Sequence, residues 1–107
     1  MDLEIESREV LFAHALLAAT QTRFSSGNIN STPGAMKAVM ATEMSLALAR
    51  HLQGDWGELD AQDKQANERA LSGGRLLSAY ETVSGIRFYI ITEADRSVTT
   101  VLLPSEY

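Results

Sequence analysis

The apolar pattern of this chain changes its period at Gly73-Gly74. Ahead of that point apolar residues recur at helical spacing. Beyond it, β-branched and aromatic residues gather in short runs, as strands prefer. Helical segments followed by strands specify an α+β domain. Strands are expected at about 75–82, 86–92 and 97–103, joined by Val83-Ser84-Gly85 and Glu93-Ala94-Asp95-Arg96. Connections this short require antiparallel neighbours, so the expectation is a three-stranded meander with 86–92 in the middle. Ile86, Phe88 and Ile90 share one face of that strand. Its other face, with Arg87, Tyr89 and Ile91, is mixed, so part of it should be covered by a helix or a partner.

Three helices are expected before the sheet, at about 2–24, 33–53 and 61–72. In the first, Leu3, Val10, Leu17 and Phe24 form one stripe, while Leu11, Phe12 and Leu16 lie outside it. Such a helix is wrapped by its own domain or shares a face with a second chain, which keeps homodimerisation open. Residues 25–34, Ser-Ser-Gly-Asn-Ile-Asn-Ser-Thr-Pro-Gly, read as a loop. Thr32 then caps the second helix, with Pro33 at its first position. An interruption near Ala41–Thr42 is allowed for, with Thr42 capping a fresh start; Met44, Leu48 and Leu52 form the inner face. Gly54 stops this helix, Asp60 caps the third, and Gly73-Gly74 ends it. The third helix offers mainly Ala66, Ala70 and Leu71 to a core, so most of it should face water.

At 107 residues, with 45% apolar and 21% charged, one core and one domain are expected. With no cysteine, thiol chemistry, thiolate metal sites and disulfides drop out, and the cytoplasm is the expected compartment. The stretch from Val10 to Ala19 is about half of what a bilayer span needs, and acids precede it where a signal peptide carries Lys or Arg. No membrane association is expected. Net charge is −5, concentrated in 1–10 (four acids against Arg8) and in 54–69 (five acids against Lys64 and Arg69). A basic face is missing, which argues against direct nucleic-acid binding.

His14 and His51 are the candidate bases or ligands. Both fall on apolar stripes, which points to partly buried, hydrogen-bonded side chains, and there is no zinc-binding spacing. Neither a metal nor a cofactor is expected. Gly54-Asp55-Trp56-Gly57-Glu58-Leu59-Asp60 sets the only tryptophan among acids. It is a candidate recognition surface, with Asp55, Trp56, Glu58 and Asp60 as its contact residues. The favoured reading folds Trp56 into the junction of helices and sheet, with Asp55 and Asp60 capping amides. The turn at Asp95 and Arg96 is a second candidate contact. Arg75, Tyr80, Arg87, Tyr89 and Arg96 supply the residue types of a small ribonuclease toxin, a reading that rests on fold analogy and runs against the acidic balance.

Arg50-His51-Leu52-Gln53-Gly54-Asp55-Trp56-Gly57, Arg75-Leu76-Leu77-Ser78-Ala79-Tyr80 and the run from Ile90 to Pro104 resemble a family of small uncharacterised bacterial proteins from plasmids and integrated mobile elements. Some members carry the label of a type I restriction subunit M. The resemblance covers about residues 50–107. The glycine-rich methyl-donor loop and the Asn/Asp-Pro-Pro-aromatic motif of an adenine methyltransferase are both missing from this chain. What the resemblance implies is a mobile-element setting and a host or defence-system protein as partner. The expected function is therefore a non-enzymatic protein-binding module that modulates or inhibits host defence. The alternatives are a ribonuclease toxin of a toxin–antitoxin pair and a self-assembling structural protein.

Overall fold

The computed structural model describes residues 22–107. The expected helix at 2–24 lies outside these residues except for 22–24, which are not helical; His14 lies outside them too.

The three antiparallel strands form within a residue of their expected bounds: β2 (Leu76–Glu81), β3 (Arg87–Thr92) and β4 (Val98–Leu102). The sheet is not a three-stranded meander. It has four strands in the order β1-β4-β3-β2, and β1 (Asn28–Ser31) runs parallel to β4. The helices therefore do not all precede the sheet; those of the described residues sit between β1 and β2. β1 lies within the stretch read as a loop. Asn-Ile-Asn-Ser has little strand propensity, and what makes it a strand is backbone pairing with a distant segment. Asn28 N–H donates to the Ser97 carbonyl at 3.0 Å and Thr32 N–H to the Val101 carbonyl at 3.0 Å. Strand character here is imposed by tertiary hydrogen bonds rather than by local preference.

The second expected helix is two. The first, α1 (Pro33–Ala38), is capped by Thr32, whose hydroxyl accepts from the Ala35 N–H at 3.2 Å. The second, α2 (Ala41–Leu52), follows after Val39 and Met40 turn extended. The break thus falls ahead of Ala41–Thr42, and Met40, not Thr42, holds the N-cap position without a side-chain bond. Val39 explains the bend: it is buried with Ala35, Ala47, Tyr80, Phe88, Ile90 and Val101 in the main core. Gly54 closes α2 at φ +82°, a left-handed conformation that glycine adopts without steric cost. The third helix, α3 (Ala61–Ala70), starts at Asp60, whose Oδ1 accepts from the Asp63 N–H at 2.8 Å.

One face of the sheet, with Ser78, Tyr80, Phe88, Ile90, Thr99 and Val101, is buried beneath α1 and α2. A second cluster of Phe24, Leu52, Trp56 and Leu76 fills the corner near α3. The outer edge of β2 does not stay open. Glu58 N–H donates to the Ala79 carbonyl at 2.7 Å and Ala79 N–H to the Trp56 carbonyl at 3.3 Å. Further along, the Asn67 carboxamide bonds both backbone groups of Leu77, at 2.7 and 3.2 Å. One asparagine from α3 thereby completes the ladder where no strand is available, which removes a site of edge-to-edge pairing.

Candidate functional site

The residues singled out from the sequence are mostly engaged in holding the fold. Trp56 is 3% exposed, stacked on Phe24 at 6.0 Å between centroids, and its indole N–H donates to Glu68 at 2.8 Å. Asp55 accepts from the Arg50 guanidinium at 2.7 and 3.2 Å, a bond that holds its carboxyl below the usual carboxylate range. Asp60 caps α3, and Asp95 accepts from the Ser97 N–H at 3.0 Å. Arg96 sits at φ +60° and donates to the carbonyls of Gly74 at 2.5 Å, Ala70 at 2.8 Å and Glu93 at 3.1 Å, clamping the end of α3 to the β3–β4 turn. Its guanidinium also lies 5.7 Å from the Phe24 ring centre. Trp56 and Arg96 thus both contact Phe24 at the corner of the domain, Trp56 buried and Arg96 half-buried. Asp55, Glu58 and Asp60 stay exposed along the loop before α3.

His51 and Ser78 stand at the separation of a base and its nucleophile, Nδ1 to Oγ 2.5 Å. Neither has exposed surface, and Phe24 and Trp56 pack edge-on against the imidazole at 5.2 and 5.8 Å. Their neighbours fix the direction of every proton. Thr99 spends its only hydroxyl hydrogen on the Ser26 carbonyl at 2.7 Å, so toward Thr92, 2.7 Å away, it accepts. Thr92 therefore donates to Thr99 and accepts from His51 Nε2 at 2.9 Å. A neutral imidazole carries one N–H, so Nδ1 accepts from Ser78. The result is a one-way chain crossing β2, β3 and β4. Burial, helped by the charge of Arg96, lowers the His51 pKa to about 3, which keeps the ring neutral. Fully buried and hydrogen-bonded on both sides, the dyad ties α2 to the sheet.

Among the described residues, a groove of about 330 Å³ opens on the opposite face of the sheet. Its floor is Leu77 of β2 with Arg87 and Tyr89 of β3, one bank is Leu59 and Asp63, and the other is Pro104 and Tyr107. The alternation of β3 sends Phe88 and Ile90 into the core and Arg87 and Tyr89 outward. Pro104 stops β4 and starts a 3-10 turn (Pro104–Glu106) that swings Tyr107 edge-on to Tyr89 at 6.0 Å. Glu106 anchors that turn: its carboxylate accepts from the Thr32 hydroxyl at 2.6 Å and the Leu103 N–H at 2.9 Å, which keeps its pKa low. Arg75 donates to the Tyr107 hydroxyl at 3.2 Å and lies over its ring, while Arg87 lies 5.8 Å from the Tyr89 ring centre.

Arg87 and Tyr89 were visible in the sequence as sharing one face of the central strand; Arg75, expected to open the first strand of the three, lies just ahead of β2. Tyr80, grouped with them there, is on the other face: it is buried, donates to the Asp55 carbonyl at 2.5 Å, and burial pushes its phenol pKa up. Leu59, Asp63, Pro104 and Tyr107 gave no signal, being far from β3 in the chain. Leu59 does come from the acidic loop that was singled out. Among the described residues no group of three or more His, Cys, Asp or Glu is placed to hold a metal ion, and no helix is long and apolar enough to cross a membrane. No family model, curated protein or solved structure matches the chain.

Proposed function

We propose that this chain is a non-enzymatic protein-binding module that acts in the cytoplasm, and that its partner is a host or defence-system protein whose activity it modulates or inhibits. The observation that carries the binding reading is the groove. Tyr89, Tyr107 and Arg87, types enriched where binding energy concentrates, line it together with Leu59, Leu77 and Pro104, and ring and cation contacts, including that of Arg75 with Tyr107, restrain them. Side chains already ordered before a partner arrives lose less entropy on binding, which favours affinity. The mobile-element setting implied by the resemblance supplies the class of partner. The ribonuclease reading loses support because Tyr80 and Arg96 are turned into the fold, away from Arg75 and Arg87. Affinity purification from cells that carry the chain naturally tests the proposal. The wild-type chain should recover a stoichiometric protein, and the Arg87→Glu, Tyr89→Ala double variant should not. Recovery of the chain alone, or of the same protein by both, would sink it.

A further inference from the structure

The two edges of the sheet are treated differently. Along β2 the backbone of Trp56 and Glu58 and the carboxamide of Asn67 occupy the ladder positions of Ala79 and Leu77. β1 forms the other edge and is paired on one side only, with β4. Asn28 N–H and Thr32 N–H donate to the Ser97 and Val101 carbonyls of that neighbouring segment at 3.0 Å each, so the even-numbered residues turn their backbone groups into the sheet. The N–H and carbonyl groups of Ile29 and Ser31 therefore point outward, and among the described residues nothing is bonded to them. Asn28, Ile29 and Asn30 are all exposed. Folded proteins guard such an edge with a charge, a proline, a bulge or a covering loop. Among the described residues β1 has none of these: it is neutral, it pairs with β4 without interruption, and Pro33 comes only after it.

We propose that β1 pairs antiparallel with β1 of a second copy, about a two-fold axis passing between the two Asn30 residues, and so joins two four-stranded sheets into one. In this register Ile29 of each copy faces Ser31 of the other. Each such pair exchanges an N–H and a carbonyl in both directions, which satisfies every outward backbone group of the strand. Asn30 then meets its own copy as a non-hydrogen-bonded pair, with Cα atoms about 4.5 Å apart. A carboxamide carries both a donor and an acceptor, so two related by a two-fold satisfy each other, which two carboxylates or two ammonium groups could not do. That self-complementarity selects a second copy. A foreign strand finds neither a side-chain pattern to fix its register nor a charge to draw it. Net charge is −5, so copies repel at a distance, and β1 is where they can touch without setting like charges together. Ile29 lies on the helix-bearing face beside buried Thr99 and is 51% exposed, so the joined sheet gives it cover. An edge this short places the dimer in the weak, reversible class that buries less than about 1,200 Å².

The test is sedimentation equilibrium of the full chain from about 10 µM to about 1 mM. The parent should show a reversible monomer–dimer equilibrium in that range. Asn30→Asp and Asn30→Lys, both at an exposed side chain, set like charges opposite each other and should each weaken the dimer about tenfold or more. Mixed in equal amounts, the two variants should pair about tenfold more tightly than either does alone, because opposite charges then face across the axis. Ile29→Pro deletes an outward N–H and spares the bonds to β4, so it should give a monomer with the parent's circular dichroism; if it fails to fold, the Asn30 pair still decides. A parent that stays monomeric at about 1 mM overturns the proposal. So does a dimer that all three variants leave unchanged, since it is built elsewhere in the chain, and so does an Asp–Lys mixture no tighter than its components. If the parent is monomeric while a protein recovered with it is lost from Ile29→Pro, the edge takes a foreign strand and the second copy is overturned. β3, which carries Arg87 and Tyr89, is two strands away from β1, so any of these failures leaves the groove reading standing.

Discussion

Lowering the pH from 7 to 5 should destabilise this protein through one buried histidine, and the size of the loss follows from the His51 chain. The ring has no exposed surface and lies between Ser78 and Thr92, with Nδ1 accepting and Nε2 donating. Burial disfavours the charged ring and the positive charge of Arg96 adds to this, so the fold holds the pKa at about 3 against an ordinary 6.5. The unfolded chain therefore binds the proton first, and stability is complete above about pH 6.5 and is lost as pH falls through the window down to about 3. At about 1.36 kcal/mol per unit, the loss from pH 7 to pH 5 is about 2 kcal/mol, a large part of a typical domain's total stability. Carboxylates held low by their partners, Asp55, Glu68, Asp95 and Glu106, add losses of the same sign only at lower pH. Urea unfolding followed by fluorescence of Trp56, which packs on the same ring, reads the effect directly. Because His14 titrates in the same range when unfolded, the measurement belongs in a His14→Gln background. His51→Gln should be less stable at pH 7 and should flatten the profile between pH 7 and 5. Parallel profiles for the two proteins, or a loss below about 0.5 kcal/mol in the parent, would refute the claim that this imidazole is held neutral by its surroundings.

Asn67→Ala should cost about 2–3 kcal/mol in chemical unfolding, since it strands the N–H and carbonyl of Leu77 at a covered edge; a cost under about 0.5 kcal/mol would mean that water replaces the side chain. Gly57→Ala should cost about 2 kcal/mol or more, because φ is +75° and the new methyl would run into the Ala79 carbonyl, and hydrogen exchange at Glu58 and Ala79 should accelerate with it. Asp55→Asn, by contrast, removes one exposed ion pair with Arg50 and should change stability by less than about 1 kcal/mol. Arg87→Ala should leave the thermal midpoint within about 2 °C of the parent, as expected where only an exposed ring contact is lost; a larger drop would show that the groove is braced by this residue.

The positions of β2, β3 and β4 and their antiparallel pairing, the helix stops at Gly54 and Gly73-Gly74 and the caps at Thr32 and Asp60 were legible along the chain, because each is a local matter of side-chain period or backbone conformation within a few residues; the sheet they join was not. Three decisions were not local. β1 is a strand only because Ser97 to Val101, about seventy residues on, offers it a ladder; polar Asn28 to Ser31 carries no period of its own. The break at Val39 and Met40 answers to the demand that Val39 reach a core built from Phe88, Ile90 and Val101. Trp56, flanked by acids and glycines, offered a surface as well as the favoured plug, and its burial depended on Phe24, Leu52 and Leu76 meeting it. The groove is the same case at the level of function: alternation on β3 declared that Arg87 and Tyr89 point outward, whereas placing Leu59, Asp63 and Tyr107 around them required chain segments that become neighbours only when the helices and the 3-10 turn pack. Local preferences set which conformations a segment favours, and long-range packing and backbone pairing decide which segments share a surface.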